Sequence, residues 1–205
     1  MAYNVISIED LHEAIGEEKL KELLKSFKCE LNKDVENFIH NSAIQFFKMG
    51  MSNTFLVFTS YKNENVLVGY FALTNKITKI KKKSLSNSIR KRIKRYTEND
   101  EFNNYYIVSL PLIGQLGKNY DKGYNKLISG DVLLKLACDK IREAQRVLGG
   151  RFVFLECEDK PELIEFYESN GFVYFGKRNL ERDERDSNSG QYLLQMLSYL
   201  GKYDT

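Results

Sequence analysis

Three stretches of this chain bring together residue types that can do chemistry. Ser129, Gly130, Asp131 and Val132 open an apolar-periodic run. The first amides of a helix, with the positive end of its dipole, form a ready anion site. Lys122 and Lys126 lie just upstream. The ordinary alternative is that Ser129 is only an N-cap and Gly130 a tolerated first-turn residue. Earlier, Pro111 and Gly114 interrupt the strand-like run from Tyr105 to Gln115. Such residues break a sheet ladder or mark a bulge. The third stretch is Phe166 to Phe172, FYESNGF, where Tyr167 offers a phenol at a helix end. Its bland reading is a pair of core aromatics.

Other reactive residue types are scattered. Cys157 lies between Glu156 and Glu158, whose alternation along a strand turns both carboxylates away from the thiol's face. No His accompanies it in sequence, so a core thiol is expected rather than a nucleophile. Cys29, Cys138 and Cys157 are far apart with no C-x-x-C spacing, an odd count that suits neither a disulfide framework nor a zinc site. No metal is predicted. His12 and His40 fall in helical runs and read as surface residues.

The elements that must position these residues follow from periodicity. An edge strand near Val5 to Ile8 precedes one helical run from Glu9 to Phe27, and a second helix spans Asp34 to Met49, stopped by Gly50. Thr54 to Ser60 and Val66 to Leu73 are strands, with Lys62 to Asn65 as a hairpin turn. Ser84 is expected to cap a helix with Leu85, Ile89, Ile93 and Tyr96 on one stripe. The strand Tyr105 to Gln115, a helix from Ser129 to Leu148 closed by Gly149 and Gly150, and a buried strand Arg151 to Cys157 make a βαβ-like centre. Pro161 opens a helix that Gly171 ends, and Phe172 to Gly176 and Gln191 to Leu200 are the last strands, separated by the polar tract Lys177 to Gly190. The order is mixed α+β, without internal repeats.

On GQLGKN at Gly114 to Asn119, the Ser129–Gly130 helix start and FYESNGF after a strand, in that order, the chain resembles the GNAT N-acetyltransferase superfamily over roughly Thr54 to Leu200. The combination looks like a branch common in low-GC Gram-positive bacteria, distantly similar to the acetyltransferase toxins that modify aminoacyl-tRNA. The resemblance implies a central mixed, mostly antiparallel twisted sheet flanked by helices. It also implies acetyl-CoA as cosubstrate and transfer of the acetyl group to a primary amine that is tRNA-linked, protein-borne or small. Main-chain groups of Leu116 and Gly117 would then take the pantetheine, and a backbone N–H there would polarise the thioester carbonyl. The diphosphate would sit on the amides of Ser129, Gly130, Asp131 and Val132 near Lys122 and Lys126, and Tyr167 would protonate the departing thiolate. Two departures stand out. Where the family's phosphate loop carries Arg or Gln, two residues, then Gly-x-Gly, this chain reads Asn125 to Gly130 with only the last glycine kept. The strand Asn104 to Asn119 also holds no carboxylate, so either a water relay removes the amine proton or the amine arrives neutral.

At 205 residues a single domain, 1–205, is expected. With 26 Phe and Tyr residues and a hydrophobic share of 42%, the composition is that of a globular chain rather than a disordered one. The N-terminus lacks the basic start and apolar run of a signal peptide, and no apolar segment approaches the roughly 18 residues needed to cross a bilayer. A cytoplasmic protein without a membrane partner is expected. The net charge of +3 hides an uneven distribution: Lys76 to Arg95 contains ten Lys and Arg and no Asp or Glu, and the rest of the chain is net negative. This basic helical insertion, about 76–100, offers Arg90, Lys91, Arg92, Lys94 and Arg95 to RNA, against the common alternative of a solvated charged face. A homodimer is compatible with these features. The competing functions are a GNAT scaffold without catalysis that binds nucleic acid or regulates, and a protein-interaction partner.

Overall fold

The computed structural model describes residues 2–100, 104–180 and 190–201, with main chain alone at 98–100. Its described residues divide into two compact units, one drawn from Met1–Thr74 and Gly114–Ala137, the other from Asn75–Ile113 and Cys138–Thr205.

In the first unit, β1 (Asn4–Ser7) is an edge strand antiparallel to β2 (Asn53–Tyr61), which pairs antiparallel with β3 (Glu64–Lys81). The β2–β3 turn is tighter than expected. Only Lys62 and Asn63 form it, both at positive φ (52° and 65°), the backbone signature of a two-residue hairpin turn. The single N-terminal helical run is two helices, α1 (Ile8–Ile15) and α2 (Glu17–Lys25), because Gly16 at φ 78° ends the first. Next, α3 (Lys33–Asn37), a π-turn at Phe38–Ser42 and α4 (Ala43–Lys48) make one continuous helical stretch. Asn32 starts it by accepting the amides of Asp34 and Val35 with its side-chain oxygen.

These helices bury Leu20, Leu24, Phe27, Val35 and Ile39 against Leu56, Phe58, Leu67 and Tyr70. Tyr70 is fully buried, its ring edge-on to Phe27 at 4.9 Å, and its hydroxyl donates to the Val35 carbonyl at 2.6 Å. Burial, followed by the charge of Asp34, pushes this phenol well above its ordinary pKa, so it stays a donor. Tyr70→Phe removes this bond, while the Val35 carbonyl keeps the Phe38 amide as a donor. We expect it to cost about 0.5–1.5 kcal/mol in a denaturant titration, the range for one net hydrogen bond.

In the second unit, β5 (Tyr105–Lys118) pairs parallel with β6 (Phe152–Cys157), and β8 (Tyr192–Tyr199) lies antiparallel between β6 and β7 (Val173–Asn179). A short β4 (Glu98–Asp100) pairs with β5. The helix α6 (Gly130–Leu148) connects β5 to β6, and α7 (Pro161–Ser169) follows β6. Strand β5 is not interrupted at Pro111 and Gly114 but runs through both and ends three residues beyond Gln115.

Of the basic segment 76–100, only α5 (Asn87–Ile93) is α-helix. Lys76 to Lys81 belong to β3, and 3₁₀ turns at Lys82–Ser84 and Lys94–Tyr96 flank α5. Its cap is Ser86, which accepts the Ile89 amide, and not Ser84, whose hydroxyl donates to the Lys81 carbonyl inside the preceding turn. Ile80, Leu85 and Ile93 are buried with Tyr106, Leu112, Phe152, Phe154 and Leu197, which anchors the segment in the core. The expected polar tract after β7 falls largely on residues 181–189, outside those described.

Candidate active site

The residues expected to hold a thioester cofactor all lie in the first unit, on one run of chain. The β5–β6 ladder consists of Leu112↔Phe154 and Ile113↔Leu155, and β5 continues beyond it through Gly114 to Lys118. Leu116 and Gly117 sit in that extension.

Two glycines set the spacing around it. A Cβ on Gly69 of β3 would lie 2.9 Å from the Gly117 carbonyl oxygen. One on Gly117 would lie 2.4 Å from Val35 Cγ1 and 3.3 Å from Phe27 Cζ. The strand backbone is therefore packed directly under α3, an approach that only a missing side chain permits.

Gln115, two residues earlier and on the same face, donates from Nε2 to Asp34 Oδ2 at 2.9 Å. Asn119, 1% exposed, fixes the strand's exit. Its Oδ1 accepts the amides of Lys28 and Asp121, and its Nδ2 donates to the Leu67 carbonyl.

A 3₁₀ segment, Asp121–Leu127, carries Lys122 and Gly123 in the left-handed region (φ 49° and 77°) and leads to α6. The Tyr3 hydroxyl holds its end by donating to the Leu127 carbonyl at 2.8 Å. Lys122, Lys126, Ser129 and Asp131 are exposed. Ser129 is an N-cap: its Oγ accepts the Val132 amide at 3.2 Å and its carbonyl accepts the Leu133 amide. Of the four residues expected to offer amides to an anion, Val132 thus already has a partner.

Tyr167 lies in the second unit, on α7. Pro161 starts this helix at a position where its missing N–H costs nothing, and the Tyr167 carbonyl accepts the Asn170 and Phe172 amides where the helix ends. The ring is buried against Phe166 (4.9 Å) and Phe172 (6.0 Å). Among the described residues the phenol hydroxyl has no hydrogen-bond partner. Burial, with a smaller contribution from the Cys157 thiol, raises the phenol's pKa well above its ordinary value, so the group carries its proton throughout the physiological range.

Burial also pushes the Cys157 thiol up to about 11, helped by the charges of Asp159 and Glu158, which suits a core thiol and not a nucleophile. Glu156 is taken up across the sheet by Arg178 Nε and Gln195 Nε2, both at 2.8 Å. Glu158 pairs with Lys160 at 2.7 Å, and Asp159 accepts from the Tyr192 hydroxyl.

His40, expected at the surface, is half-buried, with Nε2 2.9 Å from the Phe27 carbonyl. No group of three or more His, Cys, Asp or Glu among the described residues could hold a metal ion. No described helix is long and apolar enough to cross a membrane. Asp34, which meets the β5 extension through Gln115, is a residue that sequence reasoning did not single out. Its partner is 81 positions away, and its only local signal is the Asn32 cap that places it in the first turn of α3.

No protein-family model and no curated protein matches this sequence. Solved structures do resemble the fold. AtaT complexed with acetyl-methionyl-tRNAfMet aligns with a TM-score of 0.61 at 15% identity, covering 94% of each chain. A mutant of KacT aligns at 0.60 and 12% identity, covering 95% of this chain and 94% of that one. The KacTA-DNA complex aligns at 0.57 and 13%, covering 97% and 94%. What these proteins share with this chain is the fold: a mixed α/β, mostly antiparallel sheet of the GNAT type, as the FYESNGF and GQLGKN stretches led one to expect.

Proposed function

We propose that the chain is an acetyl-CoA-dependent N-acetyltransferase acting on a primary amine, with a tRNA-linked amine as its acceptor. The observation that carries this reading is the end of the β5–β6 ladder at Ile113 and Leu155. Five residues of β5 extend beyond it, and the same run of chain leads into the start of a long helix. An extended strand outside a ladder takes an amide-bearing chain as an added strand, and the pantetheine arm is such a chain.

Leu116 and Gly117 supply the main-chain groups, and a backbone N–H there stabilises the charge that develops on the carbonyl oxygen. The amides of Ser129, Gly130 and Asp131 face the diphosphate, with Lys122 and Lys126 adding positive charge; Val132 joins them only if the Ser129 hydroxyl releases its amide. Tyr167 gives its proton to the departing sulfur.

The acceptor class rests on two things. Relatives in fold are AtaT with an acetylated aminoacyl-tRNA and KacTA with DNA. In this chain, Lys79, Lys81, Lys83, Lys91, Lys94 and Arg95 are all exposed on one short segment. Within the proposed RNA face Arg90, Lys91, Arg92, Lys94 and Arg95, two side chains also serve the fold: Arg90 Nε donates to the Leu85 carbonyl at 2.9 Å, and Arg92 lies 4.4 Å over the Tyr199 ring. The clean test therefore spares both. Lys91→Ala, Lys94→Ala and Arg95→Ala together should weaken tRNA binding and lower the slope of log K against log salt by about 2–3, roughly one for each phosphate no longer neutralised. A slope unchanged in a filter-binding series at several salt concentrations would remove this face from the interface.

The reading as a whole is tested by calorimetric titration with acetyl-CoA, followed by incubation with labelled acetyl-CoA and a mixed pool of aminoacyl-tRNA. Binding and label transfer are expected. Absence of binding at millimolar acetyl-CoA would leave a scaffold without catalysis.

A further inference from the structure

We infer that Asp34, held by Gln115, is the recognition site for the ammonium group of the acceptor, an inference that rests on the acetyltransferase reading above. Gln115 and Gly117 point to the same face of β5, the face covered by α3, where Val35 closes on Gly117 and Asp34 meets Gln115. The carboxylate therefore stands one glutamine side chain away from the stretch of main chain assigned to the thioester carbonyl.

It is half-buried and fixed from two sides. Its own amide donates to the Asn32 side chain, and Oδ2 accepts from Gln115 Nε2 at 2.9 Å. Among the described residues no Lys, Arg or His pairs with it. A carboxylate that is partly removed from water, oriented by a neutral amide and left without a cation is a site for a cation from outside the chain. After burial itself, the charge of Asp34 is the strongest influence on the buried Tyr70 phenol, which places that charge close to the strand face.

The cation expected is the α-ammonium of an aminoacyl ester. The bound ammonium gives one proton to water, and the neutral amine attacks the thioester carbon. The N–C bond forms, the C–S bond breaks, and sulfur leaves with the electron pair and takes a proton from Tyr167. The amide nitrogen loses its second proton to solvent, and solvent returns a proton to Tyr167. Products are the acetamide and the free thiol.

Asp34→Asn keeps an acceptor oxygen for Gln115 and removes only the charge. With labelled acetyl-CoA and a mixed aminoacyl-tRNA pool it should raise the acceptor KM about tenfold or more, the scale of losing one charge-assisted hydrogen bond. The calorimetric Kd for acetyl-CoA and the thermal midpoint should stay unchanged, which a merely structural role would not permit. If that variant fails to fold, Gln115→Leu carries the test, since it frees the carboxylate's orientation and should raise the acceptor KM severalfold. An acceptor KM within twofold of the parent in the folded variant overturns the inference. So does a parent chain that binds acetyl-CoA but labels nothing in the pool. Failure to bind acetyl-CoA overturns the acetyltransferase reading itself.

Discussion

Tyr167→Phe is expected to lower turnover by about 10²- to 10⁴-fold, the usual contribution of a placed proton donor, while leaving the affinity for acetyl-CoA unchanged. The substitution removes one oxygen from a ring that is otherwise held by packing against Phe166 and Phe172. That oxygen has no hydrogen-bond partner among the described residues, so its loss orphans no protein group and should barely change stability. This is what makes the variant informative: a residue kept only for its apolar bulk would tolerate Phe without loss of rate. Burial raises the phenol's pKa, so it keeps its proton through the physiological range and cannot serve as a base there. Single-turnover rates with labelled acetyl-CoA would separate chemistry from binding. A rate equal to the parent's would remove Tyr167 from the mechanism and return it to the core.

How much of this was legible in the sequence depended on how local the signal was. Helices α6 and α7 stood out because their ends carry their own chemistry: Ser129 as cap, Gly149 and Gly150 after Leu148, Pro161 at a first turn. The β2–β3 hairpin was legible for the same reason. The far half of β3 was not. Its inward residues Thr78 and Ile80 alternate with exposed lysines, and in so basic a stretch the charge pattern outweighed the period of two. The segment from about residue 76 is expected as a helical insertion, but its backbone is strand up to Lys81, and the helix begins two residues later than Ser84 suggests. Gly16 was overlooked because the apolar periodicity of α1 and α2 runs across it, although its positive φ is a helix stop.

The residues proposed for the chemistry divide along the same line. Tyr167, Leu116, Gly117 and the Ser129 turn belong to short motifs that are read in place. Asp34 meets a partner 81 residues away, and neither it nor Gln115 is unusual in its own neighbourhood. The absence of a carboxylate from the strand itself was visible in the sequence, but the carboxylate that packs on that strand from a helix was not.

Gly117→Ala should be the most damaging of the single-methyl changes at this site, costing about 1–3 kcal/mol of stability as an overpacked position. It should also weaken acetyl-CoA binding, because Gly117 is on the strand stretch proposed to take the pantetheine. The added Cβ would sit 2.4 Å from Val35 Cγ1, well inside van der Waals contact. Val35 cannot retreat cheaply. Its carbonyl is held by the buried Tyr70 hydroxyl at 2.6 Å, and its amide is held by the Asn32 cap, so moving the side chain's backbone breaks two hydrogen bonds. Phe27 Cζ, 3.3 Å from the same point, closes the other escape. The clash has a specific remedy in Val35→Ala, which removes Cγ1. We expect the double variant Gly117→Ala, Val35→Ala to be more stable than the sum of the two single losses by about 1 kcal/mol or more, since residues in direct contact couple. Urea titrations of the four proteins measure this coupling. Strict additivity would mean that the strand shifts away from α3 to admit the methyl group. The close approach of backbone and helix would then not be what requires glycine at this position.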